Sequence, residues 1–197
     1  MLSRIFAATL VSIVWIAGCG SDDAASSTPP PLEVTGTVAG IAAPETDSAG
    51  VVVTLPANTP GVNELPDPYT AMLIAVANRA NLCSATSGLA NATAMSFILG
   101  MKGQAIVPGK YSIGGDAKKG ETSLLGGFAT TDASCQASVA KPAITGTLTV
   151  DSVNSSEVVG SFDVVFLEGS AKGTFKTSLC FTAESFTKLT QSCGDGG

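Results

Sequence analysis

Residues 143–153 read AITGTLTVDSV, residues 156–168 SEVVGSFDVVFLE and residues 170–180 SAKGTFKTSLC. In the first stretch Ile144, Leu148 and Val150 alternate with Thr145, Thr147, Thr149 and Asp151. In the second Phe162, Val164 and Phe166 share a face. In the third Phe175 and Leu179 do so, with Lys176 and Ser178 opposite. A period of two sends successive side chains to opposite faces of an extended chain, so each stretch predicts a strand with one dry and one wet side. Joined by such short links, they predict an antiparallel meander. Gly146, Gly160 and Gly173 each precede a Ser or Thr and then a large apolar residue. Three loose matches do not make a repeat protein. They predict bends or bulges in neighbouring strands of one sheet.

The same period continues toward the N-terminus, in EVTGTVAGI from Glu33, GVVVTLP from Gly50 and YTAMLIAVANR from Tyr69. In the last of these Met72, Ile74 and Val76 share a face. AMSFILGMK, GKYSIGG and SLLGGFATTD follow from Ala94, Gly109 and Ser123. The Ala-rich run 68–94 also suits a helix, and a short helical turn is expected near Ser84–Ala92. The prediction is an all-β antiparallel β-sandwich of eight to ten strands, Ig-like or jelly-roll-like, filling a single domain over residues 34–197.

Charged residues make up 13% of the chain and apolar ones 45%. The polar surface must therefore come mainly from Ser, Thr, Asn and Gly. The net charge of −6 repels phosphate backbones, so no nucleic-acid partner is expected.

Arg4 precedes an unbroken apolar run, IFAATLVSIVWIAG, over residues 5–18. As a helix it would measure roughly 21 Å, short of the ~30 Å hydrocarbon core of a bilayer. Residues 1–18 therefore predict a secretory signal peptide. Ala17 and Gly18 directly before Cys19 resemble the bacterial lipobox, Leu/Ile-Ala-Gly-Cys. The resemblance implies a lipoprotein: cleavage before Cys19, lipidation of its thiol by palmitate-type chains and acylation of the new amino group. Each buried methylene contributes ~0.8 kcal/mol, so two or three chains hold a protein at a membrane where one does not. In such lipoproteins an Asp after the cysteine favours the inner membrane. Gly20 stands there, which implies an outer-membrane anchor, facing periplasm or cell surface. Residues 19–33, small, polar and tipped by Pro29, Pro30 and Pro31, predict a tether.

Four cysteines remain: Cys83, Cys135, Cys180 and Cys193. In an exported chain two disulfides are expected. Of the three pairings, Cys83–Cys135 with Cys180–Cys193 is favoured, one bond tying the middle of the domain and the other closing a short terminal loop. Without a Cys-x-x-Cys or any histidine, a zinc or redox site lacks its parts.

The absence of histidine also removes Ser-His-Asp and Cys-His catalysis. No Gly-x-Ser-x-Gly elbow or Ser-x-x-Lys signature is present, and Asp116 to Glu121 reads as a solvated hairpin tip. Asp163, between Phe162 and Val164, should point outward. Asp151, Glu157 and Glu168 lie near strand ends. No catalytic residue and no resident metal are predicted. Calcium has two candidate stretches, Asp151/Asn154/Glu157 and Asn63/Glu64/Asp67, each simpler as a polar turn. The sole tryptophan, Trp15, lies in the signal peptide, leaving Tyr69 and Tyr111 to stack on a sugar.

The motifs Gly-x-Leu-Thr-Val (146–150), Gly-Ser-Phe-Asp-x-x-Phe (160–166) and Gly-Thr-Phe-x-Thr-x-x-Cys (173–180) resemble uncharacterised β-rich lipoproteins of deltaproteobacteria such as the myxobacteria. PGKYSIGG at 108–115 and Asp132-x-x-Cys135 fit the same resemblance. It implies an address and a sandwich fold, and carries no activity or site residue. The expected function is a non-enzymatic, lipid-anchored envelope module for structure, adhesion or ligand binding. Its partners are the membrane, through the acyl chains, and a protein or glycan. The alternative is a carboxylate-dependent hydrolase acting on glycans. Two carboxyls roughly 5–10 Å apart in a cleft would favour the enzyme. A flat Thr/Ser face with an exposed apolar patch would favour binding.

Overall fold

A computed structural model describes residues 32–57, 68–84, 89–113 and 122–180. The expectations for the signal peptide, Cys19, the tether up to residue 31, Asn63, Glu64 and Asp67, the 116–121 tip and Cys193 fall outside them.

The chain is all-β, with ten strands among the described residues. They are β1 (Glu33–Val38), β2 (Ile41–Ala42), β3 (Asp47–Leu55), β4 (Tyr69–Ala77), β5 (Thr93–Lys102), β6 (Gly109–Ile113), β7 (Thr122–Thr131), β8 (Ala137–Val153), β9 (Glu157–Phe166) and β10 (Gly169–Leu179). The Ala-rich run that also suits a helix is β4, followed by one 3-10 turn at Leu82–Ser84. Asp47 caps that turn, its Oδ2 accepting from the Leu82 N–H at 2.8 Å.

The three C-terminal stretches do form a meander, β8 against β9 and β9 against β10. The sheet, however, does not split into two open layers. β3 to β4, β4 to β5, β5 to β7, β7 to β8, β8 to β9 and β9 to β10 are all antiparallel. The end of β10 then pairs parallel with β3, through Ser178↔Ala49 and Leu179↔Gly50. Seven strands thus close on themselves, and the expected sandwich is corrected to a barrel with β1, β2 and β6 added outside the circuit. Closure is possible because two strands each serve two neighbours along one edge. β10 gives residues 169–174 to β1 and 178–179 to β3. β8, at 17 residues, gives 137–142 to β7 and 146–150 to β6.

β8 can bend to do this because its ladder with β9 shifts register at Ala143/Thr145 and at Val150/Ser152. The first shift displaces Ile144 from the inward row, leaving it 54% exposed against the expectation that it faces inward with Leu148. Two glycines of the expected series sit beside these shifts. Gly146 holds φ +137, a backbone state side chains disfavour. Gly160 opposes Val150, and a Cβ there would lie 2.0 Å from the Thr149 carbonyl oxygen and 2.7 Å from Phe175 Cζ. Gly160→Ala should therefore cost about 1–3 kcal/mol, because a backbone carbonyl has to move. Chemical denaturation measures this, and an unchanged midpoint would show that β8 and β9 are freer to separate than their geometry implies.

The interior is filled by Met72, Ile74, Val76, Met95, Phe97, Leu99, Phe128, Leu148, Phe162, Val164, Phe166 and Phe175. Phe97 and Phe162 stack with ring centroids 4.9 Å apart, and Phe128 meets Phe166 edge-on at 6.2 Å. A barrel of about this strand number has just enough room for its own side chains. Among the described residues, no buried side-chain nitrogen or oxygen lacks a hydrogen-bond partner.

The favoured disulfide pairing is also corrected: Cys83 bonds Cys180, with Cα atoms 5.7 Å apart. The cause is the parallel seam. Cys180 follows β10 directly, and its N–H donates to the Gly50 carbonyl of β3 at 3.1 Å. The 3-10 turn packs Leu82 and Cys83 over Ala49 of β3, Ala75 and Ala77 of β4 and Ala94 of β5. The two cysteines therefore meet where the barrel closes. Cys135, at φ +58 in the β7–β8 turn, is itself disulfide-bonded, so it is not the partner of Cys83.

Candidate functional site

Strand alternation gives the barrel's outer surface two unlike halves. On one half, β6, β8, β9, β10 and β1 lie side by side, and register aligns their outward residues in rungs. Ser112, Thr147, Asp163, Lys172 and Thr35 form one rung. Lys110, Thr149, Ser161, Thr174 and Glu33 form the next, and Thr145, Val165, Ser170 and Thr37 a third. Strand geometry spaces such residues ~4.8 Å across strands and roughly 6.7 Å along them. Of these fourteen residues, nine are Ser or Thr. Threonine suits the place twice over, its branched carbon favouring the strand and its hydroxyl facing water.

Charges on this half balance by position. Lys172 stands opposite Asp163 in the β9–β10 ladder, and Lys176 pairs with Glu157 at 3.2 Å. Lys141 pairs with Glu168 at the rim. At the lower edge the bulged Ile144, Val165 and the turn residue Leu167 are exposed at 54%, 38% and 79%. Val165 is in the third rung, so the hydroxyl rows run into an apolar margin.

On the other half, β3, β4, β5 and β7 turn outward a mainly apolar set, Ala49, Val51, Val53, Ala71, Leu73, Ala75, Ala94, Ile98, Leu125 and Ala129, with Ser96 and Ser123 among them and the charged Asp47 and Lys102 at strand ends. Tyr69 lies across Gly100, where a Cβ would sit 1.7 Å from its hydroxyl oxygen, and reaches Ser123 at 2.6 Å.

A cleft of about 440 Å³ opens at one mouth of the barrel, lined by Val52, Thr54, Thr70, Ala105, Ile106, Val153, Asn154, Ser155 and Leu179. No carboxylate is among its described lining residues. The acids weighed for catalysis are apart from it: Asp163 is in the first rung, Glu157 and Glu168 are in ion pairs, and Asp151 is the exposed extra residue of the second β8 register shift.

The calcium candidate Asp151/Asn154/Glu157 is occupied as a turn. Asn154 Oδ1 accepts from the N–H groups of Ser156 and Glu157, at 2.8 and 3.0 Å, and from the Ser156 hydroxyl at 3.0 Å. Among the described residues no group of three Cys, Asp or Glu side chains is placed to hold a metal ion. Tyr111 donates its hydroxyl hydrogen to the Val107 carbonyl at 2.5 Å, and burial raises its phenol above the ordinary value of 10.0. The folded state thus favours the neutral phenol. That contribution is whole below the ordinary value and is lost as pH rises through the raised one.

Sequence reasoning singled out Thr145, Thr147, Thr149 and Asp163 as outward residues, and they are. It gave no role to Thr35, Lys110, Ser112 or Lys172, because the rungs arise only when β1 and β6 are placed beside the meander. No protein-family model, no curated protein and no solved structure matches the chain, so the reading of this surface rests on its own residues.

Proposed function

We propose that this chain is a lipid-anchored module of the bacterial outer membrane, without enzymatic activity, that binds an uncharged, polyhydroxylated partner such as an envelope glycan. The observation that supports this is the hydroxyl half of the barrel: nine Ser and Thr in three rungs, charges locally balanced, with an apolar margin at Ile144, Val165 and Leu167. Hydroxyl rows both donate and accept hydrogen bonds. Balanced charge gives neither polyanions nor polycations a long-range advantage. The alternative, a carboxylate-dependent glycan hydrolase, has less support, since no acid is among the described residues that line the cleft.

The test has two arms. In cells, Cys19→Ser should move the protein from the membrane to the soluble exported fraction; equal fractionation would remove the lipid anchor from the proposal. In solution, residues 34–197 should co-sediment with purified envelope polysaccharide. Thr35→Lys combined with Thr147→Lys should weaken that binding at least tenfold while changing stability by under about 1 kcal/mol. Binding unaffected by the double substitution would place the contact elsewhere.

A further inference from the structure

We propose that the cleft at the mouth of the barrel is a binding site, separate from the hydroxyl rungs, for a small uncharged ligand with an apolar body and a hydrogen-bonding end. The cleft exists because two strands part. β10 meets β3 only at Ala49 and Gly50 and ends at Leu179, whereas β3 runs on to Leu55. Beyond Gly50 its ladder, among the described residues, is with β4 alone. Asn154 and Ser155 of the β8–β9 turn stand on another side of the gap, and Ala105 and Ile106 of the β5–β6 loop on a third. The Leu179 N–H donates to the Ser156 carbonyl at 2.7 Å, which ties that turn to the end of β10.

The side chains that reach into the gap are short. The inward rows of β3, β4, β8 and β10 end there in Val52, Thr54, Thr70, Val153 and Leu179, where deeper levels carry Met72, Leu148 and Phe175. The remaining 440 Å³ lies in the range of small-molecule sites and has room for about fifteen waters at their liquid volume. Val52, Ile106, Val153 and Leu179 belong to or pack on the core and give the cleft an apolar floor. Its polar edge is neutral. The Thr54 and Thr70 hydroxyls lie 3.4 Å apart, and the Ser155 hydroxyl can donate or accept. Asn154 Oδ1 is taken up by its turn, so its amide nitrogen is the group left to donate. None of the lining residues is charged, and Glu157, just beyond them, is paired with Lys176. An ion entering the cleft would lose hydration without gaining a counter-charge. An apolar body would release water from the floor.

The test uses three straight-chain probes of equal length, octanol, octanoate and octylammonium, titrated by NMR into the exported protein carrying Cys19→Ser. Octanol should bind saturably and at least tenfold tighter than either ion, with shifts centred on Val52, Thr54, Ser155 and Leu179. Equal affinities for the three, shifts centred elsewhere, or no saturation would each overturn the proposal. Ala105 is exposed, so Ala105→Trp can put bulk into the cleft without disturbing the core. It should weaken octanol binding at least tenfold and keep the melting temperature within about 2 °C. Undiminished octanol binding by that variant would place the site elsewhere and overturn the assignment. Thr35→Lys combined with Thr147→Lys should leave octanol binding unchanged, and a loss there would mean that cleft and rungs are not separate sites.

Discussion

Replacing Cys83 and Cys180 together by serine should lower the free energy of unfolding by about 4–5 kcal/mol, and the melting temperature by roughly 10–15 °C. The estimate follows from the sequence separation of 97 residues that the bond spans, since a cross-link restricts the unfolded chain more as the loop it closes grows. Its position makes the effect local as well. The barrel closes through only two residue pairs, Ser178↔Ala49 and Leu179↔Gly50, in a parallel register. Parallel pairing is slightly weaker per residue than antiparallel, and the bond sits at the end of this shortest junction in the circuit. Hydrogen exchange should quicken first at Cys180, whose N–H donates across the seam to the Gly50 carbonyl. A melting temperature lowered by less than about 3 °C would mean that packing alone holds the barrel shut.

Phe97→Ala should cost about 3–5 kcal/mol, the usual range for emptying an aromatic site in a core. Phe97 is 1% exposed and stacks on Phe162 from the far wall of the barrel. β5 and β9 are not neighbours in the circuit, so the void would open where no ladder can close in on it. Urea titration should show the lower midpoint with an unchanged slope. Ile144→Ala is the contrast, at under about 0.5 kcal/mol, because its side chain already stands in water. Equal costs for the two would contradict the assignment of inside and outside along β8.

That contrast shows how much of this fold is legible in the chain. The alternation of Phe162, Val164 and Phe166 names its own inner face, because a half-buried strand repeats every two residues. Ile144 breaks the rule through a bulge, which inserts a residue and reverses the sides, and bulges depend on the partner strand. Closure was illegible for a similar reason. The parallel pairs join residues nearly 130 positions apart over two residues, and nothing in SLC at 178–180 or AGV at 49–51 announces them. A strand that changes neighbours halfway looks the same in sequence as one that does not. The cysteine pairing followed the closure and was missed with it. The outer Thr and Ser were readable singly, whereas their alignment into rungs needed β1 and β6, which reach the meander from distant parts of the chain.

β1 lies outside the seven-strand circuit, attached by six residue pairs to β10 and by two to β2. Any pull on the residues before Leu32 therefore reaches the molecule through an appended strand and not through the ring. Under rising tension β1 should detach before the disulfide-closed circuit opens, uncovering Val34 and Val38. An appended strand in that position would give way as a mechanical fuse does in a line that must not break.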